Sequence, residues 1–187
     1  AGIERIFGLS VEMNLILEHT ALSDLADCMD RIGESAVQIP SLHASEYPLT
    51  PQQKAIYLAC QKNPASLVYN MPMFLPLSSE ADIKQIKQNI LCSYRRHSIL
   101  RTRVSVKGEE LIGVIEPDAP LIFEKFEDKN KFFRPFDLSK APLIRIGFGC
   151  GGMAMDIHHI AADGESLRLI MDEILYGRES EESVSYA

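Results

Sequence analysis

The chain has 187 residues, of which 46% are apolar and 24% are charged, and its formal net charge is −7. This composition is typical of one globular domain, or of one domain and a fragment, and excludes a disordered polymer. No segment concentrates Lys or Arg enough to neutralise a row of phosphates, which disfavours nucleic acid as a partner. The apolar runs are shorter than the roughly 20 residues that a bilayer span needs, and no signal-peptide pattern begins the chain. We therefore expect a cytoplasmic protein with no membrane partner.

The first segment with a regular pattern covers residues 3–32. Apolar residues recur there at helical spacing, as in Leu22, Leu25 and Met29, which predicts two short helices. Residues 33–46 are poorer in apolar side chains and have no periodicity, so this segment is predicted to be a linker. A larger domain is then expected over residues 47–187.

The pattern after the linker predicts an α+β domain with a mixed sheet and flanking helices. Thr50-Pro51-Gln52-Gln53 forms a capping box, which predicts a helix from about 51 to 62. A second helix is expected to open at Ser79, with Asp82 three residues later, and to end near His97. Alternating or apolar runs predict strands over 68–77, 102–106, 110–115, 121–126, 143–148 and 153–160, an irregular segment over 132–142, and a closing helix over 166–176.

The cysteines are widely spaced and include no CxxC pair. This spacing disfavours a zinc ribbon. We expect reduced thiols within the core at all four positions, Cys28, Cys60, Cys92 and Cys150.

Candidate chemistry is concentrated in the segment from His158 to Gly164, where two imidazoles, a carboxylate and a glycine lie at a predicted strand-to-loop junction. Successive strand side chains point to opposite faces, so His158 shares a face with Asp156 and His159 shares one with Ile157. One histidine is therefore expected to act on substrate, while the other supports the local structure. An imidazole at such a position can accept a proton near neutral pH or donate a hydrogen bond to an intermediate.

Asp163 is expected to hold an imidazole or to pair with an arginine, because a buried carboxylate without a cation is costly. The available partners are Arg95, Arg96, Arg101, Arg103 and Arg145. A metal site at His158, His159 and Asp163 is disfavoured, because the two imidazoles face apart and the HExxH spacing is absent. We predict no bound metal.

His158 to Gly164 matches the HHxxxDG signature, and the chain thereby resembles the condensation domains of nonribosomal peptide synthetases, whose fold is similar to chloramphenicol acetyltransferase. Three further stretches resemble family motifs in the same order: residues 47–53, residues 96–102 (RHxxLRT), and residues 134–145 (RPFDL followed by PLxR). The resemblance covers about residues 46–187. It implies the N-terminal lobe of a two-lobed domain, and residues 3–32 resemble the last helices of a carrier domain.

The resemblance also implies roles for the motif residues. His159 is expected to act as general base on an amine, or to orient the amine and stabilise the tetrahedral intermediate. His158 and Asp163 are expected to be structural, with Asp163 paired to Arg96 first and Arg145 second, and Arg101 as a further candidate. The Gly164 N–H is expected to support the oxyanion.

The family joins a carrier-bound acyl or peptidyl thioester to a carrier-bound aminoacyl amine. The implied partners are an upstream carrier, a downstream carrier and the C-terminal lobe. The resemblance implies no directly bound cofactor, since 4′-phosphopantetheine belongs to the carriers, and it implies an inactive isolated chain. Glu165 departs from the bulky residue often found after the DG. The alternatives are an epimerisation domain of the same superfamily and a catalytically silent docking domain.

Overall fold

The structure is a computed structural model that describes residues 44–177 and, nearer the start, residues 21, 23–24 and 26–27. The chain divides into two units, Ala1–Pro40 and Ser41–Ala187. Residues 23–24 and 26–27 are helical. Residue 21 lies in a bend. The other residues of the predicted helical segment 3–32, and residues 33–43 of the predicted linker, lie outside the described residues.

The strands and the longer helices described belong to the second unit. Its described part contains seven strands and four helices, with a 3₁₀ turn at Ser98–Arg101. In chain order the elements are β1 (Glu46–Pro48), α1 (Pro51–Lys62), β2 (Asn70–Pro76), α2 (Ile83–Arg96), β3 (Thr102–Lys107), β4 (Glu110–Ile115), β5 (Phe123–Lys125), α3 (Lys129–Phe132), β6 (Ile144–Gly149), β7 (Gly152–His158) and α4 (Gly164–Tyr176).

The strands form two sheets. The larger has the order β2-β7-β6-β5, in which only the β5–β6 pair is parallel, and the smaller has the order β1-β4-β3. Strand β7 is buried along its whole length, since β2 and β6 flank it and the core covers it. The larger sheet therefore fixes the position of the residue that ends β7, His158.

Helices α1 and α2 begin at different N-caps. The capping box predicted at α1 is confirmed: Thr50 Oγ1 accepts the Gln53 N–H at 3.2 Å, and Gln53 Oε1 accepts the Thr50 N–H at 3.0 Å. For α2 the predicted start at Ser79 is wrong. The cap is Asp82, whose carboxylate accepts the Gln85 N–H at 2.9 Å, because the residue directly before the first helical turn is the one that can reach its free N–H groups.

Several predicted strands are shorter in the structure. The strand expected over 68–77 covers only Asn70–Pro76, and Val68 is 78% exposed. The strand expected over 121–126 is reduced to Phe123–Lys125, and one helical turn precedes the irregular segment. Strand β1 was not predicted, because its three residues are too few to show a period and only Tyr47 among them is buried.

The prediction of core thiols is wrong for two cysteines. Cys92 is exposed because it lies on α2 away from the buried stripe that includes Ile90 and Tyr94. Cys150 is exposed in the β6–β7 turn, where its thiol donates to the Glu127 carbonyl at 2.9 Å. Cys60 is half-buried, and burial raises the pKa of its thiol. Cys28 lies outside the described residues.

The core is one buried cluster to which both sheets and helices α1, α2 and α4 contribute side chains. Its most buried side chains include Ile90, Ile146, Ile157 and Ile174, each no more than 1% exposed. Close approach at the end of β6 requires a glycine at 149, since a Cβ there would meet the Phe126 carbonyl oxygen at 1.8 Å. None of the helices within the described residues has the length and apolar character needed to cross a membrane.

Candidate functional site

The HHxxxDG segment starts at the end of β7 and runs into the first turn of α4. The strand ends at His158, whose N–H donates to the Leu143 carbonyl at 3.0 Å, and His159 enters a turn with its N–H on the Tyr69 carbonyl at 2.7 Å. His158 shares the buried face of Asp156, as the alternation predicts. His159 does not share the face of Ile157, because the strand has already ended, and it is exposed instead.

His158 is a neutral, buried imidazole. It is 3% exposed, and burial, with the neighbouring His159 as the smaller cause, lowers its pKa to about 4. Its Nδ1 accepts the Ile160 N–H at 3.2 Å. Because a ring nitrogen that accepts carries no proton, the proton lies on Nε2, which is 3.5 Å from Cys60 Sγ. The surrounding backbone therefore fixes one tautomer of His158.

His159 lines a small pocket between the start of α1 and the start of α4. The pocket has a volume of about 80 Å³. Besides His159, its wall includes Thr50, Gln53, Asp163 and Ser166. The exposed histidine thus lies beside the polar ends of two helices rather than in the core.

Asp163 is the N-cap of α4. Its Oδ1 accepts the Ser166 N–H at 2.8 Å and the Ser166 hydroxyl at 2.7 Å. The Ser166 side chain is the main cause that holds the pKa of this exposed carboxyl below its usual value. Asp163 also lies at the positive end of the helix dipole, where a carboxylate is stabilised.

The predicted pairing of Asp163 with Arg96 or Arg145 is therefore wrong. Both arginines have other carboxylates: Arg96 lies 2.9 Å from Glu173, and Arg145 lies 3.2 Å from Asp156. The predicted pairing assumed that the Asp163 carboxylate is buried. Asp163 is exposed instead, and its capping hydrogen bonds stabilise the carboxylate in place of a cation.

The third candidate, Arg101, does not contact the motif. Its guanidinium donates to the carbonyls of Pro117 at 3.0 Å and Arg95 at 2.8 Å, so it ties the 3₁₀ turn to its neighbours. Gly164 is the first residue of α4 and has nothing within 4 Å of the position of a Cβ. Its N–H belongs to the first turn of the helix, where backbone donors lack intrahelical acceptors.

Asp156 is a buried carboxylate to which the sequence pattern assigned no function. It is fully buried, and its Oδ2 accepts from Asn70 Nδ2 at 2.7 Å and Arg145 at 3.2 Å. Burial raises the pKa of Asp156 to about 6, against the lowering effects of Asn70 and Arg145. The alternation of the β7 sequence was the signal that placed Asp156 on the face of His158, but it does not show the partners on other strands.

A second cavity lies on the His158 side of the strand. Its volume is about 380 Å³, and its wall includes Cys60, Asn70, Phe136 and His158. The two histidines thus border different cavities. Within residues 44–177 and the few earlier positions described, no group of three or more His, Cys, Asp or Glu side chains could hold a metal ion.

The comparisons place the sequence in one family. A model of the condensation domain matches residues 43–183, and the chain belongs to the condensation domain family. Surfactin synthase subunit 2 of Bacillus subtilis (strain 168) is 32% identical over 190 residues, which cover 93% of this chain. Tyrocidine synthase 3 of Brevibacillus parabrevis is 30% identical over 186 residues, which cover 91% of this chain. The chain spans only 5% and 3% of these two relatives.

Solved structures show the same fold. The starter condensation domain of rhizomide synthetase RzmA superposes with a TM-score of 0.63 at 18% identity, over 74% of this chain and 40% of that one. A four-domain nonribosomal peptide synthetase, holo-AB3403, superposes with a TM-score of 0.61 at 17% identity, over 76% of this chain and 12% of that one. The α+β, chloramphenicol acetyltransferase-like fold predicted from the sequence is confirmed.

Proposed function

We propose that this chain is the N-terminal lobe of a domain that forms an amide bond between two carrier-bound substrates. The observation that carries the proposal is the different environment of the two histidines in HHxxxDG. His158 is buried and neutral, whereas His159 is exposed beside a polar pocket. In this assignment His159 acts on substrate and His158 is its support. The overlap with 40% of the RzmA starter condensation domain supports a lobe rather than a whole domain.

The reaction is the aminolysis of a thioester. The α-amine on the downstream carrier attacks the thioester carbonyl presented by the upstream carrier, a C–N bond forms, and the C–S bond breaks to release the upstream thiol. The amine loses a proton, which ends on the departing sulfur as the thiol, and in this proposal His159 accepts that proton in transit or orients the amine. The 4′-phosphopantetheine arms belong to the carriers, and this chain supplies the imidazole and part of the cleft.

The start of α4 supports a second role for the motif. The N–H of Gly164 lies at the start of α4, where the helix dipole favours developing negative charge. A carbonyl oxygen that becomes an oxyanion near this helix end is therefore stabilised. Asp163, which caps the same helix, sets the position of Gly164 through its two bonds to Ser166.

The test uses the multienzyme that contains this chain, with both flanking carriers loaded. Mass spectrometry follows the amide on the downstream carrier and the free thiol on the upstream carrier. The proposal expects both products to appear together. Inversion at the Cα of a carrier-bound residue with no amide would instead identify an epimerisation domain, and carrier binding without either product would identify a silent docking domain.

A further inference from the structure

The side chain of Gln53 makes two hydrogen bonds in different parts of the domain. Its Oε1 accepts the Thr50 N–H at 3.0 Å as part of the α1 capping box. Its Nε2 donates to the carbonyl of Ile160, inside HHxxxDG, at 3.0 Å. Gln53 is 7% exposed and Ile160 is 5% exposed. One buried amide thus joins the start of α1 to the turn that carries His159, across 107 residues of sequence.

We propose that Gln53 is a positioning residue for His159, an inference that rests on the proposed role of that histidine. The capping box alone does not require glutamine, because a glutamate at the same position accepts the N-cap N–H equally well. Only the amide can also donate to the Ile160 carbonyl. The hydrogen bond to Ile160 therefore requires an amide at position 53, whereas the capping box does not.

The turn after β7 shows how this bond reaches His159. The N–H of Ile160 donates to His158 Nδ1, and the N–H of Ala161 donates to the His158 carbonyl at 2.9 Å. The Ile160 carbonyl belongs to the same short turn and accepts the hydrogen bond from Gln53 Nε2. Fixing Ile160 from both sides fixes the backbone that presents His159, which also lines the pocket beside Gln53.

The substitution Gln53→Glu separates the two roles. A carboxylate keeps the capping bond and is favoured near a helix N-terminus, but it places an acceptor against the Ile160 carbonyl. Gln53→Met removes the donor without adding charge. Gln88→Glu adds the same charge at an exposed position on α2, outside the wall of the His159 pocket, and is the matched control. Thr50→Ala weakens the cap but leaves the Gln53 amide in place.

The readout is amide hydrogen exchange by NMR on the full chain, together with the ¹⁵N shifts of the His159 ring. We expect Gln53→Glu and Gln53→Met to speed exchange at His159, Ile160 and Ala161 on the order of tenfold and to shift the His159 ring signals. Exchange in the β6–β7 ladder, for example at Ile146, should stay unchanged. Thr50→Ala and Gln88→Glu should leave amide exchange in the turn as it is in the parent.

Two results would overturn the proposal. One is exchange in the turn that equals the parent in both Gln53 variants, which would reduce Gln53 to a capping residue. The other is a uniform rise of the exchange rate across all strands, which would make the role of Gln53 a general structural one.

A kinetic experiment in the multienzyme should show a lower rate constant for amide formation in Gln53→Glu, with the KM for the loaded carriers unchanged. If exchange responds but His159→Ala is fully active, the proposed function fails while the link between Gln53 and the turn stands.

Discussion

The guanidinium of Arg96 lies 2.9 Å from the carboxylate of Glu173 and so joins the end of α2 to the last turns of α4. His97 Nε2 lies 3.0 Å from the other Glu173 oxygen. The first two residues of the RHxxLRT stretch thus bind the far end of the helix whose start is capped by Asp163. The two motifs are connected through α4 rather than by a direct pair between Arg96 and Asp163.

This arrangement predicts that Glu173→Gln destabilises the domain. Glu173 is 5% exposed, and hydrogen bonds to charged groups contribute about 1.5 to 3 kcal/mol each. We expect the free energy of unfolding in urea to fall by about 2 kcal/mol. Asp172→Asn is the matched control, because Asp172 meets Arg168 at the surface and such pairs contribute about 1 kcal/mol or less. Equal losses in the two variants would contradict the assignment.

The capping role of Asp163 makes a different prediction. Asp163→Ala should lower the free energy of unfolding by about 1 kcal/mol, the usual cost of losing an N-cap side chain. Asp163→Ser should restore most of the loss, since serine also caps. Thermal and urea unfolding of both variants test this. A loss of about 3 to 5 kcal/mol that serine fails to restore would indicate a broken buried ion pair instead.

Two buried groups on β7 predict opposing pH dependence. The folded pKa of Asp156 is raised to about 6, so between pH 3.8 and 6 the folded state binds more protons and stability falls as pH rises. The folded pKa of His158 is lowered to about 4, so between pH 4 and 6.5 the unfolded state binds more protons and stability rises with pH. Each shift corresponds to roughly 3 kcal/mol, so the two contributions nearly cancel in the parent.

Variants that remove one group should expose the contribution of the other. Asp156→Asn should make the free energy of unfolding rise steeply between pH 4 and 6.5, whereas His158→Gln should make it fall between pH 4 and 6. Urea unfolding across this range measures both slopes relative to the parent. If both variants keep the slope of the parent, the two groups do not have these pKa values in the folded state.

The sequence predicted most of the larger elements because their signals are local. The Thr50–Gln53 capping box predicted the start of α1, and the runs over 102–106 and 110–115 predicted the two strands that pair as β3 and β4. The face of His158 also followed from strand alternation. Partners distant in sequence did not follow: a pattern cannot show that β7 ends one residue before His159, or that Glu173 reaches Arg96 from 77 residues away.

The pairing of Asp163 failed for a related reason. An aspartate followed three residues later by a serine fits either an N-cap or a buried ion pair, and exposure decides between the two. Exposure depends on how α4 packs against the rest of the domain, which the local sequence does not determine. Strand alternation placed Asp156 on the face of His158, but a single carboxylate in an apolar run gives no sign of partners such as Asn70, which lies on another strand.

The most direct test of the account is the rate of amide formation in the multienzyme that contains this chain, measured for His159→Ala beside the parent. Single-turnover experiments with both carriers loaded separate this step from loading. Glu109→Gln, in the exposed β3–β4 turn, controls for handling and for a remote surface change. We predict that His159→Ala lowers the rate on the order of a hundredfold or more, with an unchanged melting temperature, while Glu109→Gln behaves as the parent. Amide formation by His159→Ala at the rate of the parent would contradict the assignment of His159 as the residue that acts on substrate.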